Sequence, residues 1–151
     1  MAGEHQQAVL MADDDAEDCL LATEAFAESG AGAAFSCVEN GIELMNYLLE
    51  RARSNPGELP QLILLDLNMP RKDGREALVE IKADPALQNI PIIILTTSQN
   101  EKDIAFTMKE GAESFITKPA TFDEWVKIMK SLLRVGSYDN WMSHYTKLRS
   151  S

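Results

Sequence analysis

Four short apolar runs punctuate this chain, and each ends on a polar group. Ala8 to Ala12 (AVLMA) stops at Asp13-Asp14-Asp15, and Leu62 to Leu65 (LILL) stops at Asp66. Ile90 to Leu95 (IPIIIL) closes on Thr96, Thr97 and Ser98, and Ser114 to Thr117 (SFIT) on Lys118-Pro119. Strands covered by helices on both faces read as continuous apolar runs, so each of these predicts a buried strand of an α/β sheet. A fifth run, Ala34 to Val38 (AFSCV), has the length and the β-branched and aromatic content of a strand. Between the runs the period changes to that of a helix. Cys19, Leu20, Leu21, Ala22 and Phe26 share a face within 16–29, and Ile42, Leu44, Met45, Leu48 and Leu49 form a second stripe after Asn40-Gly41. Ala77, Leu78 and Ile81 line a third helix that follows Asp73-Gly74 and ends at Asp84-Pro85. A fourth runs from about Asn100 to Glu110 and stops at Gly111. The fifth, Thr121 to Val135, opens with the capping-box pair Thr121 and Glu124 and carries Trp125, Ile128, Met129 and Leu132. Strands alternating with helices in this way predict a doubly wound parallel sheet.

The organisation is that of one domain, 8–135, with a short tail at 1–7. Ser54 to Pro60 (SNPGELP) has the chemistry of a surface loop and is too short to separate domains. The extension 136–151 (GSYDNWMSHYTKLRSS) is predicted to form a short sixth helix with Trp141, Tyr145 and Leu148 on one face. That stripe either folds back on the domain or offers a partner or dimer surface.

Composition narrows the function classes. The 151 residues are 45% hydrophobic and 25% charged, enough for one well-cored domain. The formal net charge of −10, with Lys and Arg scattered rather than striped, argues against direct binding of nucleic acid or an anionic membrane. No apolar run approaches a membrane span and the segment MAGEHQQ lacks a signal peptide's basic and apolar regions, so a soluble cytoplasmic protein is expected. Cys19 and Cys37 read as small buried hydrophobes rather than a disulfide or a metal pair. His5 and His144 have no metal-type or nucleophile-activating neighbours and read as surface residues.

Taken alone, Asp66 could be a loop cap. Right-handed crossovers change that, because they place every strand end on one edge of the sheet. Strand one then delivers Asp13 and Asp14, strand three Asp66, strand four Thr96 and strand five Lys118. Carboxylates brought together repel unless a counter-charge is present, and an all-oxygen set suits a hard divalent cation such as magnesium. Three carboxylates are balanced by a dication and one ammonium. A carboxylate, a dication, a hydroxyl and a lysine around one point equip the edge for phosphoryl transfer onto the carboxylate, with an aspartyl phosphate as product.

The motifs VLMADDD (9–15), LILLDLNMPRKDG (62–74), PIIILTTS (91–98) and GAESFITKP (111–119), in this order and spacing, resemble the receiver domain of two-component response regulators. The resemblance covers 8–135 and implies the flavodoxin-like receiver fold, five parallel strands in the order 2-1-3-4-5. It implies that Asp66 is the phospho-acceptor and a metal ligand, Asp14 a direct magnesium ligand and Asp13 an outer one. Asn68 would bind the ion through its main-chain carbonyl, with manganese able to substitute for magnesium. Thr96 would hold a phosphoryl oxygen, Lys118 would pair with the phosphate, and the Lys118-Pro119 bond would be cis. Phe115 aligns with the family's switch aromatic, in concert with Thr96. Three consecutive acids leave a register open, since a slip of one residue in strand one would promote Asp15. Ser98 is expected, with Asn68, to line the approach of water and to influence how long the phosphate survives.

The function implied is a single-domain response regulator that takes phosphate from a sensor histidine kinase. It would signal to a downstream protein, not named by the sequence, through the surface of the fourth helix, fifth strand and fifth helix. It would catalyse only its own phosphorylation and dephosphorylation. The EDCLL segment, the long loop before strand three and the aromatic extension most resemble the small regulators paired with phytochrome-type light-sensing kinases. A homodimer, through the fourth-helix to fifth-helix face or through the extension, is a further expectation. The rival from another class is a receiver-fold scaffold that binds partners independently of phosphorylation. A metal-dependent phosphohydrolase would place its nucleophile in a DxD arrangement after the first strand, and a flavin-binding protein would want a Ser/Thr/Gly-rich phosphate loop there.

Overall fold

The computed structural model describes residues 8–30 and 33–133. Five strands run as β1 (Ala8–Ala12), β2 (Ala34–Val38), β3 (Leu62–Leu65), β4 (Ile92–Thr96) and β5 (Ser114–Thr117). They alternate with α1 (Ala16–Glu28), α2 (Gly41–Ser54), α3 (Gly74–Ala83), α4 (Glu101–Lys109) and α5 (Phe122–Leu133), and a single 3-10 turn at Pro56–Glu58 precedes β3. All pairings are parallel and the strand order is 2-1-3-4-5, the flavodoxin-like topology expected. The tail, His5, His144 and the sixth helix expected in the extension lie outside the described residues. Among the described residues, no helix is long and apolar enough to cross a membrane.

The apolar runs are continuous because successive side chains feed two separate cores. Val9, Met11, Leu62, Leu64, Ile93 and Leu95 point to one face, where they meet Ala22 and Phe26 of α1 and Trp125, Met129 and Leu132 of α5. Leu10, Ile63, Leu65, Ile92 and Ile94 point to the other, against Leu44 and Leu48 of α2 and Leu78 and Ile81 of α3. A one-residue slip of any strand would exchange the two sets, so register is held by burial on both sides. Helix starts are fixed locally. Asp15, Asn40, Asp73 and Asn100 each cap a helix by accepting amide hydrogen bonds, and Asp73 completes a capping box with Glu76.

The cysteines depart from the sequence expectation. Cys19 and Cys37 are joined as a disulfide between α1 and the end of β2, with Cα atoms 6.3 Å apart. Each residue is plain by itself, and only the packing of α1 against β2 brings the pair within bonding reach. The bridge closes a loop of 18 residues in sequence separation. Chain-entropy arguments assign such a loop about 3 kcal/mol of stability, so reduction should lower the thermal unfolding midpoint by roughly 6–12 °C. Melting with and without a dithiol reductant, with Cys19→Ser as the control that should not respond, checks this; identical midpoints for the wild type in both conditions would show that the bridge carries no stability.

Candidate functional site

Asp13, Asp66 and Lys118 each occupy the first position past a strand, and a neighbouring strand pins each backbone there. The Asp13 amide donates to the Val38 carbonyl at 3.0 Å, the Asp66 amide to the Ala12 carbonyl at 3.0 Å, and the Lys118 amide to the Thr96 carbonyl at 2.8 Å. Parallel pairing thus continues one residue beyond the strands, and the three side chains emerge at one level of the sheet edge. One carboxylate oxygen from each of Asp13, Asp14 and Asp66 lies within 4.8 Å of the others. Asp15 is not part of this set, because its carboxylate is spent on capping α1 through the amides of Glu17 and Asp18. The open register therefore resolves to Asp13 and Asp14.

The electrostatics are those of a crowded, dry edge. Asp13 and Asp66 are 1% and 5% exposed, whereas Asp14 faces solvent. The Lys118 ammonium lies 2.8 Å from Asp13 Oδ2, 2.7 Å from Asp18 Oδ2 and 3.3 Å from Asp66 Oδ2. Burial pushes the Asp13 carboxyl up from 3.8 to about 6, against the pull of the Lys118 ammonium and the Asp15 amide, and the Asp66 charge adds to the rise. For Lys118, burial works to lower the pKa, but its bonds to Asp13 and Asp18 and the nearby Asp66 charge outweigh it and hold the group above the ordinary lysine range.

The donor set fits a divalent cation. Asp13 Oδ2 is buried with the Lys118 ammonium at 2.8 Å as its close partner, and it lies beside two further carboxylates, so the group has oxygen lone pairs to offer an ion. An all-oxygen group of this kind suits magnesium or manganese, held by Asp13, Asp14 and Asp66.

The remaining predicted residues are placed around this centre. Thr96 is fully buried at the end of β4, and its hydroxyl oxygen accepts from the Ser98 amide at 3.4 Å. Asn68 turns its side chain to solvent while its amide reaches Asp66 Oδ1 at 3.4 Å. Phe115 is buried in the core on the α2 and α3 side of the sheet. One expectation requires correction. The Lys118-Pro119 bond is trans, the intrinsically preferred isomer, and Lys118 reaches the carboxylates in that form. The half-buried Ser98 donates its hydroxyl to Asp103 Oδ2 at 2.8 Å; Asp103 also binds the Arg75 guanidinium at 3.0 and 2.9 Å, tying α4 to α3.

Two residues of the site escaped the sequence reading. Asp18, whose carboxylate meets Lys118, could have been noticed from its four-residue spacing from Asp14. In the sequence Gly74 marks only a helix start. Its amide bonds the Leu67 carbonyl at 2.9 Å, and a Cβ at this position would overlap the Asp66 carbonyl oxygen. The backbone that carries Asp66 can sit where it does only because residue 74 has no side chain.

Comparison with known proteins agrees with this fold. Residues 9–130 match the model of the response regulator receiver domain. The response regulator Rcp1 of Synechocystis is 33% identical over 82% of this chain and 84% of its own. Among solved structures, the phosphorylated cyanobacterial phytochrome response regulator RcpA superposes with a TM-score of 0.76 at 38% identity, over 84% of this chain and 91% of that one. The Mn2+-bound form of Rcp1 gives 0.75 at 32% identity, over 85% and 93%. RPA3017, a response regulator in red light signalling of R. palustris, gives 0.74 at 32%, over 83% and 90%.

Two outcomes are expected from the site's geometry. An acid whose pKa is raised on folding adds its full stability below its unfolded value and loses it as pH rises through its folded value, so between about pH 4 and 6 Asp13 becomes a burden. Asp13→Asn removes that burden: in chelator at about pH 7.5 its melting midpoint should exceed the wild type's by roughly 4 °C or more. The gain should shrink as pH falls towards 4, and a lower midpoint for the variant at neutral pH would contradict the argument. Gly74→Ala, by contrast, must move the Asp66 backbone. It should lower the midpoint and weaken divalent-ion binding at least tenfold, read by titration of a metal-sensitive fluorescence signal, and wild-type affinity would show that the close approach is dispensable.

Proposed function

The chain belongs to the response regulator receiver family, and from that premise we propose that it accepts a phosphoryl group on Asp66 from a sensor histidine kinase of the phytochrome type. The observation that carries the reading is the convergence of Asp13, Asp14 and Asp66 around one point with the Lys118 ammonium against them. An Asp66 carboxylate oxygen attacks the phosphorus of a phosphohistidine, a new P–O bond forms, and the P–N bond breaks with its electron pair returning to the imidazole. A magnesium ion held by Asp13, Asp14, Asp66 and the Asn68 carbonyl would neutralise charge on the phosphoryl oxygens. Lys118 supplies an ammonium to one of those oxygens, and the Thr96 hydroxyl, buried at the end of the adjacent strand, is the donor for another. No protein group has to gain or lose a proton. Burial of Asp13 and Asp66 limits water at the centre and strengthens each of these charge interactions.

The output of such a reaction is conformational. Thr96 and Phe115 lie on paired strands, with Ile94 opposite Phe115 and Thr96 opposite Thr117. A Thr96 hydroxyl drawn to the phosphoryl group would disturb packing at Phe115 and so the surface of α4, β5 and α5, where a downstream protein or a second copy of the chain would dock. Similarity to RcpA, Rcp1 and RPA3017 supports a phytochrome-type partner. A cytoplasmic location follows from the same reading.

Incubation with acetyl phosphate and magnesium, followed by a phosphate-affinity gel, tests the proposal. An acid-labile or hydroxylamine-labile adduct is expected on the wild type and not on Asp66→Asn, and chelator should abolish it. Absence of any adduct on the wild type would favour a phosphorylation-independent scaffold, while equal labelling of the mutant would move the acceptor elsewhere.

A further inference from the structure

Lys118 has three N–H donors and three carboxylate neighbours, of which the closest is Asp18 at 2.7 Å. Asp13 and Asp66 belong to the cluster that fits a divalent ion, and their charge is answered when the ion binds. Asp18 is not in that cluster. It projects from the first turn of α1 rather than from a strand end, and its carboxylate, 22% exposed, is aimed at the ammonium. Its place is held from both sides, since its own amide donates to the capping Asp15 carboxylate at 3.2 Å and the next residue is bridged to Cys37. With Asp13, Asp14 and Asp66 at −3 and a dication plus Lys118 at +3, Asp18 leaves the site at −1 before any phosphoryl group arrives.

Resting on the aspartyl-phosphate reading above, we propose that Asp18 is a positioning residue that competes with the phosphoryl group for Lys118 and thereby shortens the life of the phosphorylated state. The ammonium is buried and cannot exchange its partners for water freely, so a donor spent on Asp18 is withheld from a phosphoryl oxygen. The uncompensated charge of Asp18 opposes accumulation of the more anionic phosphorylated form in the same direction. Asp18 touches neither the acceptor nor the ion; it acts through the lysine.

The test compares wild type, Asp18→Asn and Asp18→Glu, each labelled with acetyl phosphate and magnesium, freed of the donor by rapid desalting, and followed by phosphate-affinity gel. Asparagine keeps the shape and removes the charge, so its aspartyl phosphate should persist roughly 3- to 10-fold longer. Glutamate, which restores a carboxylate within reach of the lysine, should return the half-life towards the wild-type value, whereas damage to the fold would not be rescued in this way. An unchanged or shortened half-life in Asp18→Asn overturns the inference while leaving Asp66 as acceptor intact. Failure of the wild type itself to take label removes that reading, and this inference with it.

Discussion

A buried ammonium surrounded by carboxylates is the interaction on which this structure turns. Asp13 and Asp66 are almost completely removed from water at the sheet edge, and two like charges so placed would repel without compensation. Lys118, delivered from the far strand of the sheet's second half, lies within 3.3 Å of both and of Asp18. It answers only part of the charge. Burial holds the Asp13 carboxyl near 6, with the Asp66 charge adding to the rise, and a divalent ion is the partner whose charge would offset the remaining carboxylates.

That arrangement demands backbone precision, and the sheet supplies it. Each of Asp13, Asp66 and Lys118 is tied through its amide to the last carbonyl of a neighbouring strand. Because the strands are clamped between two apolar cores, the edge cannot relax to separate its charges. The cost of like-charge crowding is carried by packing elsewhere, the usual relation between a functional site and the stability of its scaffold. Gly74 extends the same constraint to the loop after β3, where the start of α3 presses on the Asp66 carbonyl.

On the side of α1 the constraint is local chemistry. Asp15 caps the helix, Asp18 reaches Lys118, and Cys19 is bridged to Cys37, so three separate fastenings fall within five residues of one helix start. On the opposite side, Ser98, Asp103 and Arg75 connect the loop after β4 to α3. The site is thus fastened at both flanks by side-chain bonds, while Asp14 and the side chain of Asn68 remain open to solvent.

The chain by itself determined the alternation of strands and helices, the bounds of four of the five strands (the fourth runs Ile92–Thr96, not from Ile90) and the acids, hydroxyl and lysine at the strand ends. Apolar runs covered on both faces carry a strong one-dimensional signal, and right-handed crossovers leave little choice about which ends converge. Asp66, Asp13, Asp14, Thr96 and Lys118 were legible for that reason. Only the tertiary structure decided which acid caps α1, that the Lys118-Pro119 bond is trans, that Ser98 is engaged by Asp103, and that Cys19 faces Cys37. It alone showed Asp18 to be a third partner of Lys118 and Gly74 to be a spacer against Asp66. The difference is physical: burial along a strand is written in consecutive residues, whereas these contacts depend on the angle and distance at which separate elements pack, to within an ångström or so, and no local pattern encodes that.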